Sequence, residues 1–247
     1  MNKMIFKKGA AIFTAAVALV FVGTALFERD TYGKPEEKAT QSQTFDMSQI
    51  KTVVLESTGY ANFDVVYSAA AQSEAKVILP AGNSAGVEAG VLHIRLNDPH
   101  GSAKVTLPFQ ANILQLKNGD GDGDGGSVTL SSRGGAMPTL HVDAQRASTL
   151  RFLDYVGGAL TVTSLNKDVF VSLAFDDGVE LEQLNVALAK GRLYLGAEGY
   201  TKRYDNNNAS ASKPFVVKQG TLQLGRSIEF STSRPSVIKN LTFEPLP

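Results

Sequence analysis

The chain has 247 residues, with 24 Lys+Arg against 24 Asp+Glu, and neither Cys nor Trp. Its 43% apolar content is enough to bury a core, which excludes a wholly disordered chain. The missing cysteines exclude disulfides, thiolate metal sites and a catalytic thiol. A formal charge of zero leaves no basic footprint for nucleic acid.

The first element is an export signal. Lys3, Lys7 and Lys8 precede an uncharged run from Gly9 to Phe27, which stops at Glu28-Arg29-Asp30. A positive start ahead of an apolar run keeps the lysines in the cytoplasm and sends the downstream chain across the membrane. As a helix the run reaches about 28 Å, close to the hydrocarbon thickness. Gly23-Thr24-Ala25 offers small residues for cleavage, whereas Leu26 and Phe27 extend the run and favour retention as an anchor. Residues 1–27 are therefore expected to be a signal-anchor or signal peptide, with residues 9–27 meeting the cytoplasmic membrane. Residues 28–46 are polar, carry Pro35, and read as a linker. Without the three N-terminal lysines the remaining chain carries a net charge of −3, which attracts neither lipid head groups nor nucleic acid. The expected location is the cell envelope, periplasmic or extracellular.

From residue 47 to 247 the chain reads as one all-β domain. Short alternating runs succeed one another: Lys51–Glu56, Phe63–Tyr67, Lys76–Leu79, Val91–Leu96, Lys104–Leu107, Asn112–Leu116, Ser127–Leu130, Thr139–Val142, Thr149–Leu153 and Ala159–Thr163. β-Branched residues dominate them, and Gly, Asn, Asp, Ser or Pro separate them. Val179–Lys190 has leucines at helical spacing but also alternates, and is read as strand. An apolar-x-apolar pair recurs at Leu140/Val142, Leu150/Phe152, Leu160/Val162 and Val169/Val171. Weaker copies continue to Leu241/Phe243. Such a pair puts two side chains on one face of a strand, and stacked copies bury a continuous inner column. The pattern predicts a parallel β-solenoid with two or three strands per coil. A β-sandwich has turns at similar spacing and is the alternative. The strand after Ile50 and the tail with Pro235, Pro245 and Pro247 are expected to cap the ends.

Several segments carry a family resemblance: "IKTVVLESTGYANFDVVYS", "AKVILPAGN", "GVLHIRL", "ILQLKNGDGDGDGGSVTL" and "LTVTS". Over residues 45–245 the chain resembles the auto-transporter adhesin, head GIN domain family. The resemblance implies a right-handed β-helix-like fold, an extracytoplasmic location and no assigned enzymatic activity. The chain departs from the family pattern at its Asp-rich turn and at residues 201–214.

The sharpest local motif is Asp120-Gly-Asp122-Gly-Asp124-Gly125-Gly126. Carboxylates at positions 1, 3 and 5 with Gly at 6 match the opening of a Ca²⁺ loop. Val128 and Ser131 stand where further ligands belong, so this is not an EF-hand. The two readings are a Ca²⁺ site with Asp120, Asp122 and Asp124 as ligands, and a solvated Gly/Asp turn. Asp176-Asp177-Gly178 is a second acidic turn, which a stacked architecture is able to bring to the same edge.

His93 and His141 read as outward strand positions, and His100 lies in a turn. No three of them cluster as a metal site requires. No nucleophile elbow, P-loop, zinc-protease helix or dinucleotide fingerprint occurs. Tyr200–Pro214 is a polar loop, and Leu153 and Phe170 fall in outward register. The expected function is a non-enzymatic, adhesin-like envelope module presenting its surface to a protein or glycan. A calcium-dependent polysaccharide-lyase-like enzyme, with Arg133 or Arg151 as proton acceptor, is the alternative. A self-associating scaffold is the third reading.

Overall fold

The computed structural model describes residues 39–118, 125–176, 178–196 and 214–246. The expected export segment, Asp120, Asp122, Asp124, Asp177 and the 200–214 loop up to Lys213 lie outside the described residues. Among the described residues no helix is long and apolar enough to cross a membrane.

Among the described residues, sixteen strands form one sheet. They are β1 (Thr40–Asp46), β2 (Thr52–Ser57), β3 (Asn62–Ser68), β4 (Glu74–Pro80), β5 (Ser84–Glu88), β6 (Val91–Leu96), β7 (Ser102–Leu107) and β8 (Ile113–Asn118). The second half of the chain adds β9 (Ser127–Arg133), β10 (Met137–Ala144), β11 (Ser148–Phe152), β12 (Val156–Ser164), β13 (Val171–Phe175), β14 (Glu180–Leu195), β15 (Val216–Thr232) and β16 (Leu241–Pro245). The one α-helix among the described residues, α1, is a single turn at Pro235–Ile238. The architecture is all-β, as expected.

The strands fall into two columns. Column one runs β6-β2-β8-β10-β12, then the first half of β14, the first half of β15, and β16. Column two runs β7-β3-β9-β11-β13 and the second halves of β14 and β15. Every ladder within the columns is parallel, and β14 pairs with β12 by its first half and with β13 by its second. The sheet thus folds back on itself at β14 and nearly closes, like a barrel. Each coil gives one strand to each column.

The apolar-x-apolar pairs dictate this stacking. In column one Leu92, Val53, Leu114, Val142, Val162, Val186 and Leu222 occupy matched register and are all buried. In column two Phe63, Val128, Leu150, Leu173 and Leu193 do the same. A slip of one residue would turn each set outward, so the burial fixes the register. The two sets meet in one hydrophobic cluster. Where β14 bends between the columns, Gly191 has φ +138°, and any Cβ there would collide with the Val171 carbonyl oxygen.

Among the described residues, antiparallel pairing is confined to one end of the stack: β1 with β4, β4 with β7, and β5 with β6. The hairpin-built sheets of a sandwich are therefore not what the chain forms elsewhere. Two expectations are corrected by this pairing. The strand after Ile50, β2, lies inside the stack between β6 and β8, so it is no cap. The cap is built by β1, β4 and β5 instead. The last residues of the expected linker 28–46 are β1 itself, whose half-buried alternation rests on β4. The Pro-containing tail does cover the far end: β16 adds to β15, and Val237 of α1 is buried.

Val179–Lys190 is strand from Glu180 onward, covering the first half of β14 and reaching its bend. The sequence order of coils is not their spatial order. The β2–β3 coil sits between the later β6–β7 coil and the β8–β9 coil.

Candidate binding groove

All coils cross from column one to column two at the same corner. The described residues there are 97–101, 58–61, 125–126, 145–147 and 165–170, together with the bend of β14. Contacts between successive turns confirm the alignment. The Tyr60 and His100 rings stack, with centroids 6.5 Å apart and planes at 6°. A Cβ on Gly125 would stand 2.7 Å from the Tyr60 ring. Arg146 Nη1 donates to the Gly125 carbonyl at 2.8 Å. The Ser148 amide donates to the Phe170 carbonyl at 3.2 Å.

A groove of about 510 Å³ opens at this corner between Thr149, Asp168, Phe170, Ser172, Lys190 and Arg192, with Gly125 at its margin. Thr149, Ser172 and Arg192 are register neighbours on the outward face of column two, which is why they form a row. Phe170 is 40% exposed, large for an apolar side chain. Its ring carries the Arg192 guanidinium 5.8 Å from the centroid, within reach of cation–π attraction. Arg192 also donates from Nε to Glu229 Oε2 at 2.7 Å, which fixes its orientation. The turn that delivers Phe170 is tied by Asn166, whose Oδ1 accepts from the Asp168 amide at 2.9 Å, an Asx-turn device. Chemically the groove offers one ring face, two cations, one carboxylate and a row of hydroxyls. A larger hollow of about 560 Å³ at the far end lies between Lys167, Arg226 and Pro245, with no ring among its described lining residues.

Asp120, Asp122 and Asp124 lie outside the described residues, and the first described residues after them are Gly125 and Gly126. Gly126 has φ +105°, and a Cβ there would strike the Ala61 carbonyl oxygen. Asp176 comes directly after β13, at the exit of column two, whereas Gly125 precedes β9, at its entry. Gly125 and Asp176, the described residues that border the two acidic stretches, thus lie at opposite ends of column two. Asp176 is buried and pairs with Arg151 Nε. That pairing fixes Arg151 to the exit end of β11, and Arg133 ends β9 at the same side. The Asp cluster of the lyase reading lies outside the described residues. Among the described residues no three His, Cys, Asp or Glu come together as a metal set.

The histidines occupy the positions read from the sequence. His141 is exposed. His93 faces outward on β6, where its Nδ1 donates to Glu56 Oε1 at 3.1 Å. Arg95 Nε donates to Glu56 Oε2 at 2.6 Å, and its Nη1 to Glu88 Oε1 at 2.8 Å. Burial works to raise the Glu56 carboxyl, but hydrogen bonds from Arg95 and His93 outweigh it and hold the group below the usual range.

The sequence marks Phe170 through its outward register, but nothing in it marks Lys190 and Arg192 as its partners. They come from the next coil, and only the ladder between β13 and β14 brings them together. Arg146 carries no sequence signal at all, because an arginine in a polar turn reads as surface.

No family model matches the chain, and no curated protein does. Among solved structures the likenesses are distant. One is a "putative adhesin" from Bacteroides fragilis NCTC 9343, at 12% identity and TM-score 0.34, covering 81% of this chain and 96% of that one. Another is a "putative adhesin" from Parabacteroides merdae ATCC 43184, at 9% identity and TM-score 0.36, covering 85% and 94%. A third is a "putative cell adhesion protein" from Clostridium sporogenes ATCC 15579, at 9% identity and TM-score 0.25, covering 79% and 99%. Identities and TM-scores are low in all three, so the functional reading rests on this chain's own residues.

Proposed function

We propose that the chain is a non-enzymatic, extracytoplasmic binding module of the cell envelope, a parallel β-solenoid that receives a glycan at its turn-lined corner. The observation that carries this reading is the Phe170 ring, exposed in a groove beside Lys190, Arg192 and the Thr149–Ser172 row. An exposed ring face with hydroxyl and cationic donors around it suits a sugar, whose C–H face stacks and whose hydroxyls bond outward. The lysine-led apolar run at residues 3–27 supports delivery across the cytoplasmic membrane.

The test is binding of the full chain to immobilised envelope polysaccharides and to envelope protein extract, for wild type and Phe170→Ala. Retention on polysaccharide that the variant loses, at unchanged thermal stability, supports the reading. Retention that ignores Phe170, or capture by protein alone, replaces the glycan with another ligand. Retention by neither defeats it.

A further inference from the structure

The groove has a neighbour at the same corner. The turn 165–170 gives Asp168 and Phe170 to the groove of about 510 Å³ and Lys167 to the hollow of about 560 Å³. The bend of β14 divides in the same way, with Lys190 in the groove and Ala189 in the hollow. The next coil adds Arg226 from the bend of β15. A Cβ on Gly225 would strike the Ala189 carbonyl oxygen, so that bend lies directly on the bend of β14. Register sets Ser227 opposite Lys190, which brings Arg226 beside it. Four cations and one carboxylate thus line the two hollows, in a chain whose 24 basic and 24 acidic residues otherwise balance. Arg192 is paired with Glu229. Lys167, Lys190 and Arg226 are exposed and have no carboxylate in ion-pair range among the described residues. Like charges held on one strip repel one another, and the strip concentrates anions from solution.

We infer that the glycan received at this corner is anionic, and that its chain runs along the stack from the Phe170 groove into the Lys167–Arg226 hollow. This rests on the glycan reading above, to which it adds the charge of the ligand and a second subsite. One sugar ring lies on Phe170 with its acidic substituent at Lys190. The acidic substituent of a following sugar meets Lys167 and Arg226. A uronate carboxylate and a sulfate half-ester share the chemistry required, since each is an acceptor-only anion for ammonium and guanidinium donors. Two modest contacts on one chain reinforce each other, because the first holds the second at high effective concentration.

The test is the affinity of the full chain for polygalacturonate, dextran sulfate and uncharged dextran. It compares wild type with Phe170→Ala, with the pair Lys167→Gln and Arg226→Gln, and with a control pair, Lys76→Gln and Lys104→Gln. The control removes the same charge from exposed positions on β4 and β7, at the antiparallel end of the stack. Wild type is expected to bind an acidic polymer and not dextran. The Lys167/Arg226 pair should weaken that binding about tenfold, the scale of two exposed charge pairs, and the control pair should not. Preference for polygalacturonate assigns a carboxylate, and preference for dextran sulfate a sulfate. Equal binding of dextran, lost in Phe170→Ala, overturns the inference and leaves the glycan reading standing. Equal losses in the two charge pairs reduce the effect to general attraction and overturn it. Acidic-polymer binding that ignores Lys167 and Arg226 overturns it too. Binding to none of the three polymers overturns it as well, and retention on envelope polysaccharide then decides the glycan reading separately.

Discussion

Phe152 and Phe175 hold matched register on β11 and β13, and their rings stack 4.9 Å apart at 14°. Tyr155 meets the same Phe152 ring edge-on at 5.4 Å. This aromatic run fills column two where the inward positions of column one carry aliphatic side chains. Phe175→Ala is expected to destabilise the chain by about 3–5 kcal/mol. In a double-mutant cycle with Phe152→Ala, the losses should fall short of additivity by about 0.5–1.5 kcal/mol. Urea denaturation of the single and double variants checks both figures.

Gly191 joins the two halves of β14, and its conformation leaves no room for a methyl group. Gly191→Ala is expected to cost more than about 2 kcal/mol, since both the positive φ and the Val171 carbonyl oppose it. Gly86, where a Cβ meets open space and φ is ordinary, is the control and should tolerate Ala within about 1 kcal/mol. Thermal melts of the two variants make the comparison.

The Glu56–Arg95–His93 cluster ties β2 to β6 with an acid-labile contact. Glu56 is held below its usual pKa, so its contribution is fully present above the unfolded value, near 4.5. It is lost as pH falls through the lower folded value. Glu56→Gln should therefore be less stable than wild type by about 1 kcal/mol at pH 7, with the gap closing below pH 4.5. Chemical denaturation at pH 7, 5 and 3.5 would show the convergence. A gap that stays constant across that range contradicts the assignment.

In the groove, Lys190→Ala and Phe170→Ala are each expected to weaken polysaccharide binding about tenfold or more, the scale of an anchor residue. Thr161→Ala, on the outward face of column one away from the corner, should leave binding unchanged. Affinity measured on the same immobilised polysaccharide separates the two outcomes.

The columns were legible because Leu140-x-Val142 and its copies are two-residue-period signals that burial then enforces. The parallel sense was legible only indirectly, through connectors that lack tight hairpin turns. The cap was not legible. In β1 (TQSQTFD) Phe45 alone is a large apolar residue, and the strand is held chiefly by its ladder to β4. Nor did the sequence disclose that β6–β7 would slide beneath β2–β3, since both coils carry the same apolar pair. Arg146 was illegible for a different reason. Its burial comes from the way the Ala144–Ser148 inward register continues through the corner, and a corner is where strand periodicity stops being a guide.

The antiparallel strands at one end and the tail at the other differ in sequence and pairing, but the coils from β8–β9 to β12–β13 repeat one register. Each such coil presents the same inward pair to the coil before it and the coil after it. A coil could be duplicated or removed in that stretch without altering either end, changing the length of the molecule in steps of about 4.8 Å. The turn-lined corner would lengthen by one turn with each step. Reach, and the number of turns available for contact, are thus quantities that this architecture adjusts by whole units while its terminal structures stay as they are.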